Sequence, residues 1–401
     1  MVATSTRAEP QFTIADPWAA FRQKRFLLPF GTSVVTALVG ALLLVLSGTA
    51  WLPFRDVTVV RVMMASKRDF FEDAEVRRIM QSHGIRVQVT PIASRELVYR
   101  DDLDDYDFVL PSGQSVANVV RERRRGKVIN TYRPFFSPIV LGTYREYAKA
   151  LEAAGVAKRQ DNGGGLYYDL SLPRFVDLVE AGTTWSKLAE EAPLSEGLPR
   201  NGNRIIAQTP DPCLAYSGAT FLGMVAFARN GNQAPADEES AARLAKEIKP
   251  LFDIEGQHGD DLGPKYVTPE GRSFATIVVI YEHQYLAHQF RWIDGTGKPD
   301  EDRVLLYPEE QHETAPELLA FTPAGNRVGE LVTQDPALRR RAVELGFRVY
   351  GTQASPAGSE LTAHLVRRGL PVPGSGVGDT EAWLPDLPLL ERMIEDVGGC
   401  R

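Results

Sequence analysis

The sequence has 401 residues, 43% hydrophobic and 24% charged, which is enough to bury the core of one or two domains. Its formal net charge of −7 at pH 7 argues against a generally basic nucleic-acid-binding surface, so no nucleic-acid partner is expected. The two cysteines, Cys213 and Cys400, belong to no paired-cysteine metal motif, and the sequence leaves open whether they form a disulfide.

The N-terminal region contains an uncharged run over residues 26–54. A membrane-spanning helix needs about 20 apolar residues, and "VVTALVGALLLVLSGTAWL" supplies them. Arg22, Lys24 and Arg25 lie just before the run and place the preceding tail in the cytoplasm. We therefore predict a cytoplasmic tail (1–25) and a transmembrane anchor (26–54). The protein would be a single-pass protein of the cytoplasmic membrane, with the bulk of the chain extracytoplasmic.

A cleaved signal peptide is the alternative for the same run, with Gly48 and Ala50 as small residues at the cleavage site. We favour the uncleaved anchor because the run exceeds the usual apolar region of a signal peptide, about 7–15 residues. No cysteine stands where a lipoprotein signal needs one, so a lipid anchor is disfavoured.

The remaining chain alternates strand and helix patterns, which predicts a largely parallel sheet with helices on both faces. The predicted strands are 57–65, 85–90, 106–111, 135–144, 204–209, 273–281, 303–308 and 317–323. The predicted helices are 70–84, 145–155, 173–191 with a break near Gly182, 335–347 and 387–398. A segment rich in Gly, Ser and Pro over 351–380 is predicted to be a loop.

Small polar residues follow the carboxyl ends of three predicted strands. In an open parallel sheet ligands bind outside these ends, and a helix that begins there offers unpaired N–H groups to an anion. Ordinary helix N-capping is the alternative explanation for any one of these sites. The candidate ligand-binding residues are Ser66, Ser112, Gln114, Asp211, Ser217 and Gly218.

Tyr281 and Glu282 end the most apolar predicted strand and are two further candidates for ligand binding. Side chains alternate along a strand, so at most one of the two faces the ligand directly. Tyr281 would suit an anion. Glu282 would favour a cationic or amine-bearing ligand, because a buried carboxylate beside an anion is costly.

The sequence contains no G-x-S-x-G, Walker or G-x-G-x-x-G motif, and His283 and His288 are poorly spaced for one helical face. We therefore predict no catalytic residue, no metal site and no cofactor. A hydrolase that uses Asp211, His258 or Glu282 is the least favoured function.

Several stretches taken in order resemble a family. They are "YDFVLPSGQS", "FFSPIVLGTYREYAKAL", "QTPDPCLAYSGATFLGMVAF", "VVIYEHQYL" and "RVLLYP", within a region of similarity over about residues 57–350. This part of the chain resembles type II periplasmic solute-binding proteins, of the branch that includes molybdate and sulfate binders.

The resemblance implies an α/β fold of two lobes joined by two crossover strands, with the ligand between the lobes. Lobe 1 would comprise 57–135 and 285–401, and lobe 2 would comprise 136–284. The crossovers would fall near 134–143 and 277–284. The family's anion contacts match Ser66, Ser112, Gln114, Ser217, Gly218 and Tyr281.

The implied function is a membrane-tethered, extracytoplasmic receptor for a small molecule or ion, with an anion as one candidate. It would present this solute to an ABC permease or another membrane partner, and it would not be an enzyme. The alternative is an interaction or scaffold protein outside transport, built on the same fold with a vestigial cleft.

Overall fold

The computed structural model describes residues 24–46, 57–64, 67–191, 201–255, 259, 261–310, 312–351, 356–374 and 383–400. The chain divides into two compact units, residues 1–57 and 58–401. Each unit is described by itself.

The N-terminal unit contains helix α1 (Lys24–Leu46). Among the residues described, no helix is both long and apolar enough to cross a membrane. The predicted transmembrane anchor is therefore not supported by the structure. Residues 1–23 of the predicted tail and residues 47–54 of the predicted anchor lie outside the described part of the chain.

The larger unit combines strands and helices throughout its length. Its strands are β1 (Thr58–Met64), β2 (Ile85–Pro91), β3 (Phe108–Leu110), β4 (Asn130–Tyr132), β5 (Phe135–Tyr144), β6 (Ala157–Arg159), β7 (Tyr167–Leu170), β8 (Ile277–Tyr281), β9 (Arg303–Pro308), β10 (Glu313–Thr314), β11 (Leu318–Ala320) and β12 (Arg348–Val349). Its helices are α2 (Arg68–Glu72), α3 (Ala74–Ser82), α4 (Gln114–Arg123), α5 (Arg145–Ala153), α6 (Leu172–Glu180), α7 (Trp185–Glu191), α8 (Tyr216–Arg229), α9 (Glu238–Glu255), α10 (Gly263–Tyr266), α11 (Gly271–Phe274), α12 (Glu282–Thr296), α13 (Pro323–Gln334), α14 (Pro336–Glu344), α15 (Ser359–Arg367) and α16 (Leu387–Gly398).

The strands form two sheets. In the first sheet the strand order is β2-β1-β3-β11-β4, and β1 pairs in parallel with both β2 and β3. In the second sheet the order is β10-β5-β9-β7-β6, and β8 and β12 also pair with β5. This arrangement confirms the predicted α/β class and gives a fold of two sheets, with β5 and β8 as members of the second sheet.

Strands β5 and β8 pair with each other. The two strands run antiparallel, with Ile139 opposite Tyr281 and Thr143 opposite Ile277. Every residue of both strands is buried. These strands occupy the two predicted crossovers. The assignment of residues to two lobes stays a prediction; strand β9, in the range predicted for lobe 1, pairs with β5 and β7 in the second sheet.

Several local predictions were wrong for identifiable reasons. The predicted strand over 204–209 forms only two isolated bridges, at Arg204 and Gln208, because the segment meets β8 for one residue pair and then enters a proline-containing turn. The predicted helix over 70–84 is interrupted at Asp73, whose carboxylate caps α3. The predicted loop over 351–380 contains helix α15.

A disulfide joins Cys213 to Cys400, with Cα atoms 6.0 Å apart. Cys213 lies three residues before α8, and Cys400 lies two residues after α16. The bond therefore ties the C-terminal end of the described chain to the segment that leads into α8, which answers the question that the cysteine count left open.

Candidate functional site

A cavity of about 650 Å³ opens where elements of the two sheets meet. This volume lies within the usual range for small-molecule sites, about 300–1,000 Å³. From the first sheet, Lys67, Arg68 and Asp69 follow β1, while Pro91 ends β2 and residues 92–94 follow it. Both groups lie at the carboxyl ends of parallel strands, where ligands bind in open α/β sheets.

The opposite wall comes from three segments that surround the second sheet. Residues 214–217 form the entry to helix α8, and residues 279–281 form the end of β8. Asp261 and the first turn of α12, with His283 and Gln284, complete this side. Strand β8 and the start of α12 are contiguous in sequence, which brings Tyr281 and His283 to one wall.

Lys67 is the most unusual residue of the cavity wall. Its side chain is buried, and its Nζ atom makes no hydrogen bond within the described part of the chain. The ammonium lies 3.1 Å from the centre of the Tyr281 ring. Burial lowers the pKa of Lys67 to about 7, against the opposing effect of Asp69 and Asp261.

The backbone of Lys67 is also unusual, with a φ of 75° in the left-handed region. A non-glycine residue in such a conformation costs about 1–3 kcal/mol and is found most often at functional sites. The conformation places the lysine side chain over Tyr281 rather than in solvent.

The N-terminus of α8 contributes neutral donors to the same cavity. Ala215 occupies the N-cap position, and in the described part of the chain no side chain caps the helix. The first N–H groups of an α-helix have no acceptor within the helix, so those at Tyr216 and Ser217 are available to a bound group. Ser217 also lines the cavity and adds a hydroxyl. An anion near Lys67 would meet both charged and neutral donors here.

Near Lys67, hydrogen bonds connect Asp69 to His283 and His283 to Ser137. His283 Nε2 lies 3.0 Å from Asp69 Oδ2, and His283 Nδ1 lies 3.0 Å from Ser137 Oγ. The Asp69 carboxylate can only accept, so the imidazole donates to it from Nε2. In the neutral ring Nδ1 then accepts from the Ser137 hydroxyl, whose oxygen also accepts the backbone N–H of His283. Burial lowers the pKa of His283, in agreement with a neutral ring.

These three hydrogen-bonded residues are of the types found in a hydrolytic triad, but the Ser137 hydroxyl cannot act on a solute. Ser137 is completely buried on strand β5 and does not line the cavity. Of the residues named for the hydrolase alternative, Asp211 and Glu282 also lie outside the cavity lining, and His258 falls outside the described residues. The structure gives that alternative no support.

Of the predicted ligand contacts, Ser217 and Tyr281 line the cavity. Ser66 lies outside the described residues, although its neighbours Lys67 and Arg68 line the wall. Gln114 is exposed at the start of α4 and is not part of the lining.

The predicted site around Ser112 is covered by another residue. The N–H of Ser112 donates to the hydroxyl of Ser94, and the Tyr216 ring packs directly on Gly113. A Cβ at Gly113 would lie 2.0 Å from the Tyr216 hydroxyl oxygen, which also contacts Ser115 at 3.2 Å. Tyr216 thus occupies the place in front of α4 that a ligand was expected to fill.

Asp211 and Gly218 have structural partners. Asp211 Oδ1 accepts the N–H of Cys213 at 2.8 Å and shapes the turn before α8. Gly218 allows α8 to pack on the preceding turn, because a Cβ there would lie 2.1 Å from the carbonyl oxygen of Pro210. Neither residue lines the cavity.

Glu282 points away from the cavity, as the alternation with Tyr281 requires. It is completely buried, accepts a hydrogen bond of 2.8 Å from the Tyr307 hydroxyl and pairs with Arg348 through two contacts of 2.6 and 2.7 Å. Its charge is therefore compensated inside the protein, and the amine-bearing ligand cannot be argued from Glu282.

Sequence reasoning missed Lys67, Asp69, Asp261 and His283 as cavity residues. Lys67 and Asp69 could have been found, because they follow the same strand end that drew attention to Ser66. Asp261 had no such signal, since it reaches the cavity from a segment far from any predicted strand end. Within the described residues, no group of three or more His, Cys, Asp or Glu side chains is arranged to hold a metal ion.

Comparison with known proteins gives a fold likeness only. No protein-family model matches the chain, and no curated protein matches it either. Iron-bound HitA from Pseudomonas aeruginosa aligns over 85% of this chain and 99% of its own, with 11% identity and a TM-score of 0.50. A substrate binding protein of an ABC transporter from Agrobacterium tumefaciens aligns over 85% and 96%, with 13% identity and a TM-score of 0.46.

The sulfate-binding protein SubI from Mycobacterium tuberculosis aligns over 79% of this chain and 92% of its own, with 14% identity and a TM-score of 0.41. The likeness to HitA shows the fold alone, an α/β fold of two sheets. The predicted fold is confirmed at that level.

Proposed function

We propose that the protein is an extracytoplasmic solute-binding protein that captures a small solute through an anionic group. The observation that carries this proposal is the buried Lys67 ammonium, which has no hydrogen-bond partner in the described chain and lines the same cavity as the uncapped N-terminus of α8.

A buried ammonium without hydrogen bonds is unfavourable, because it has lost its hydration and gained no comparable partner. At Lys67 part of this loss is offset by the Tyr281 ring, since a cation over an aromatic face contributes about 0.5–2 kcal/mol. A bound anion would supply the missing hydrogen-bond acceptor. The cavity is therefore more stable when occupied by such a group.

Three features support the extracytoplasmic location. The disulfide between Cys213 and Cys400 favours an oxidising compartment. The charge pattern around residues 26–54 indicates export of the following chain. The fold is one found in periplasmic-binding-protein structures.

Tethering of the N-terminal segment to the membrane and delivery to an ABC permease are finer parts of the proposal. The first is supported by the uncharged run alone, and the second by the fold likeness alone. After carbonate and high-salt washes the full-length protein should remain in the membrane fraction. Recovery of a soluble form whose mature N-terminus is near Trp51 would refute the tether.

The solute-binding proposal is tested by binding measurements on the purified full chain. Mass spectrometry of small molecules released on denaturation should identify a retained solute, and calorimetry with that solute should give a single site. Lys67→Met should weaken binding by about 10- to 150-fold, the equivalent of a lost charged hydrogen bond of about 1.5–3 kcal/mol.

Arg392→Met is the matched control, because Arg392 is an exposed cation in an i,i+4 pair with Asp396 on α16. It should leave affinity unchanged. Equal affinity of the wild type and Lys67→Met would contradict the proposal. A chain that retains no solute and shows no change in small-angle scattering on ligand addition would favour the scaffold alternative.

A further inference from the structure

The carboxylates of the cavity are difficult to reconcile with a ligand that carries negative charge only. Two cations, Lys67 and Arg68, line the wall together with four acidic residues: Asp69, Glu72, Glu96 and Asp261. A simple oxyanion bound at Lys67 would lie in the repulsive field of the nearest of these carboxylates.

Asp69 and Asp261 are the carboxylates whose charges act on the Lys67 ammonium. Burial lowers the pKa of Lys67, and these two residues are the ones that raise it in opposition. Both must therefore lie near enough for their fields to act on the ammonium. Any group that binds the ammonium of Lys67 comes under the same fields.

Asp69 remains accessible from the cavity even though it has partners. Its Oδ2 atom contacts His283 at 3.0 Å, and its Oδ1 atom accepts the N–H of Phe70 at 3.1 Å. Its side chain nevertheless keeps 52% of its surface exposed. Because His283 is neutral, the charge of Asp69 is not cancelled by the imidazole.

Asp261 presents one carboxylate oxygen to the cavity. Its Oδ1 atom accepts hydrogen bonds from the side chain of Gln284 at 2.8 Å and from the N–H of Gly263 at 3.0 Å. Within the described chain no hydrogen bond is made by Oδ2. Burial raises the pKa of Asp261, so a cation brought beside it would stabilise the ionised form.

We propose that the natural ligand is a zwitterion, whose anionic group binds at Lys67 and the N-terminus of α8 and whose amine is held by Asp69 and Asp261. This inference rests on the proposed function and specifies its ligand class. A second observation, independent of the acidic residues, is the Lys67 side chain, which is 4% exposed, has no hydrogen bond to any described residue and lines the same cavity. A ligand of both charges satisfies the lysine without adding net negative charge.

The test compares probes that differ only in an amine. Ethanesulfonate is paired with taurine, propionate with β-alanine, and ethyl phosphate with phosphoethanolamine. Binding of each to the full chain is measured by calorimetry at pH 6.5. In at least one pair the amine-bearing probe should bind more than tenfold tighter than its partner.

Two substitutions test which residue binds the amine of the ligand and which binds its anionic group. Asp261→Asn keeps the oxygen that accepts from Gln284 and Gly263 while it removes the negative charge, so it should abolish the preference for the amine and leave amine-free probes bound as before or more tightly. Lys67→Met should weaken both members of a pair. Melting temperatures of both variants show whether they fold.

The outcomes separate the inference from the proposed function. Amine-free probes that bind as tightly as their amine-bearing partners would overturn the zwitterion and leave solute binding intact. Retention of the amine preference in a folded Asp261→Asn variant would overturn the assignment of that carboxylate. Failure of every amine-bearing probe to bind would overturn the zwitterion. The proposed function would fall with it only if the purified chain also released no solute on denaturation.

Discussion

Two buried ionic groups lie near the end of β8 and differ in how their charges are satisfied: Lys67 contacts the Tyr281 ring, and Glu282 is the next residue after Tyr281. Glu282 has Arg348 and the Tyr307 hydroxyl as partners, and all of its interactions are internal. Lys67 has the Tyr281 ring but no hydrogen-bond acceptor in the described chain. Burial alone does not distinguish a structural charge from a binding charge, whereas the presence or absence of partners does.

The difference has a physical basis. A buried carboxylate with two charged contacts and a hydroxyl donor is stable in the folded protein but depends on each partner. A buried ammonium without an acceptor is destabilising in the free protein and gains most when a ligand arrives. Removing the charge should therefore harm stability in the first region and affinity in the second.

The largest effect is expected when the Glu282 network is broken. Arg348→Met leaves the completely buried Glu282 without its cation and should lower the free energy of unfolding by about 3–5 kcal/mol. Urea denaturation measures this change. Arg392→Met, which removes a solvent-screened surface ion pair, should leave the free energy of unfolding nearly unchanged. A similar loss in both variants would mean that the Glu282 pair is no more important than a surface pair.

The second largest effect is expected when the disulfide is removed. Loss of a native disulfide typically costs about 2–5 kcal/mol, so the double variant Cys213→Ala/Cys400→Ala should unfold at lower urea concentration. Because Cys213 lies on the segment that leads into α8, affinity for the solute should fall as well. Unchanged affinity in the folded variant would show that the bond does not position the entry to α8.

Affinity for an anion should decrease as the pH rises above the pKa of Lys67, about 7. Above that pH the free protein must take up a proton to bind, and affinity should fall by up to tenfold per pH unit, which corresponds to about 1.4 kcal/mol. Asp69, Asp261 and His283 face the same ammonium. Calorimetry with ethanesulfonate between pH 6 and 9 measures the change, since this probe keeps its charge.

Stability of the free protein should respond to pH with the opposite sign. The pKa of Lys67 is about 7 when folded and near its ordinary 10.5 when unfolded. Between these values the unfolded chain binds more protons, so this residue makes the folded state more stable as the pH rises. Lys67→Met should lose both pH dependences together. If the pH dependence is the same in Lys67→Met and the wild type, another group causes it.

The smallest effect is expected at Ser217. Ser217→Ala removes one hydroxyl donor and should weaken binding by about 0.5–1.5 kcal/mol, roughly 2- to 13-fold. The free energy of unfolding of the Ser217→Ala variant should not change, because Ala215 and not Ser217 occupies the N-cap position. Thr220→Val is the matched control on the same helix, since the Thr220 hydroxyl donates to the Tyr216 carbonyl and lies outside the cavity lining. An affinity loss confined to Thr220→Val would exclude Ser217 as a contact.

The elements that could be predicted were those with strong local patterns. Strands β5 and β8 are runs of β-branched and other apolar residues, and both form close to where they were expected. The strand expected over 204–209 failed because its pairing depends on one short encounter with β8. Helix α15 was missed because glycine, serine and proline around it outweighed its own helical pattern.

The site could be predicted in part for the same reason. Ser217 and Tyr281 were found because strand ends and helix starts are local signals. Ser112 and Gly218 gave the same local signal, but the Tyr216 ring that packs on Gly113 and the Pro210 carbonyl that packs on Gly218 are known only from the folded chain.

By itself the sequence determined the α/β class, strands β5 and β8, the strand end at Tyr281 and the helix start near Ser217, because periodicity, composition and alternation act over a few residues. Only the tertiary structure decided which charges are paired. Glu282 pairs with Arg348, Asp69 contacts His283, and Lys67 lies over an aromatic ring with no acceptor among the described residues. Each of these contacts joins residues at least 66 positions apart. Electrostatic energy depends on distance and burial in space, which no local pattern in the chain encodes.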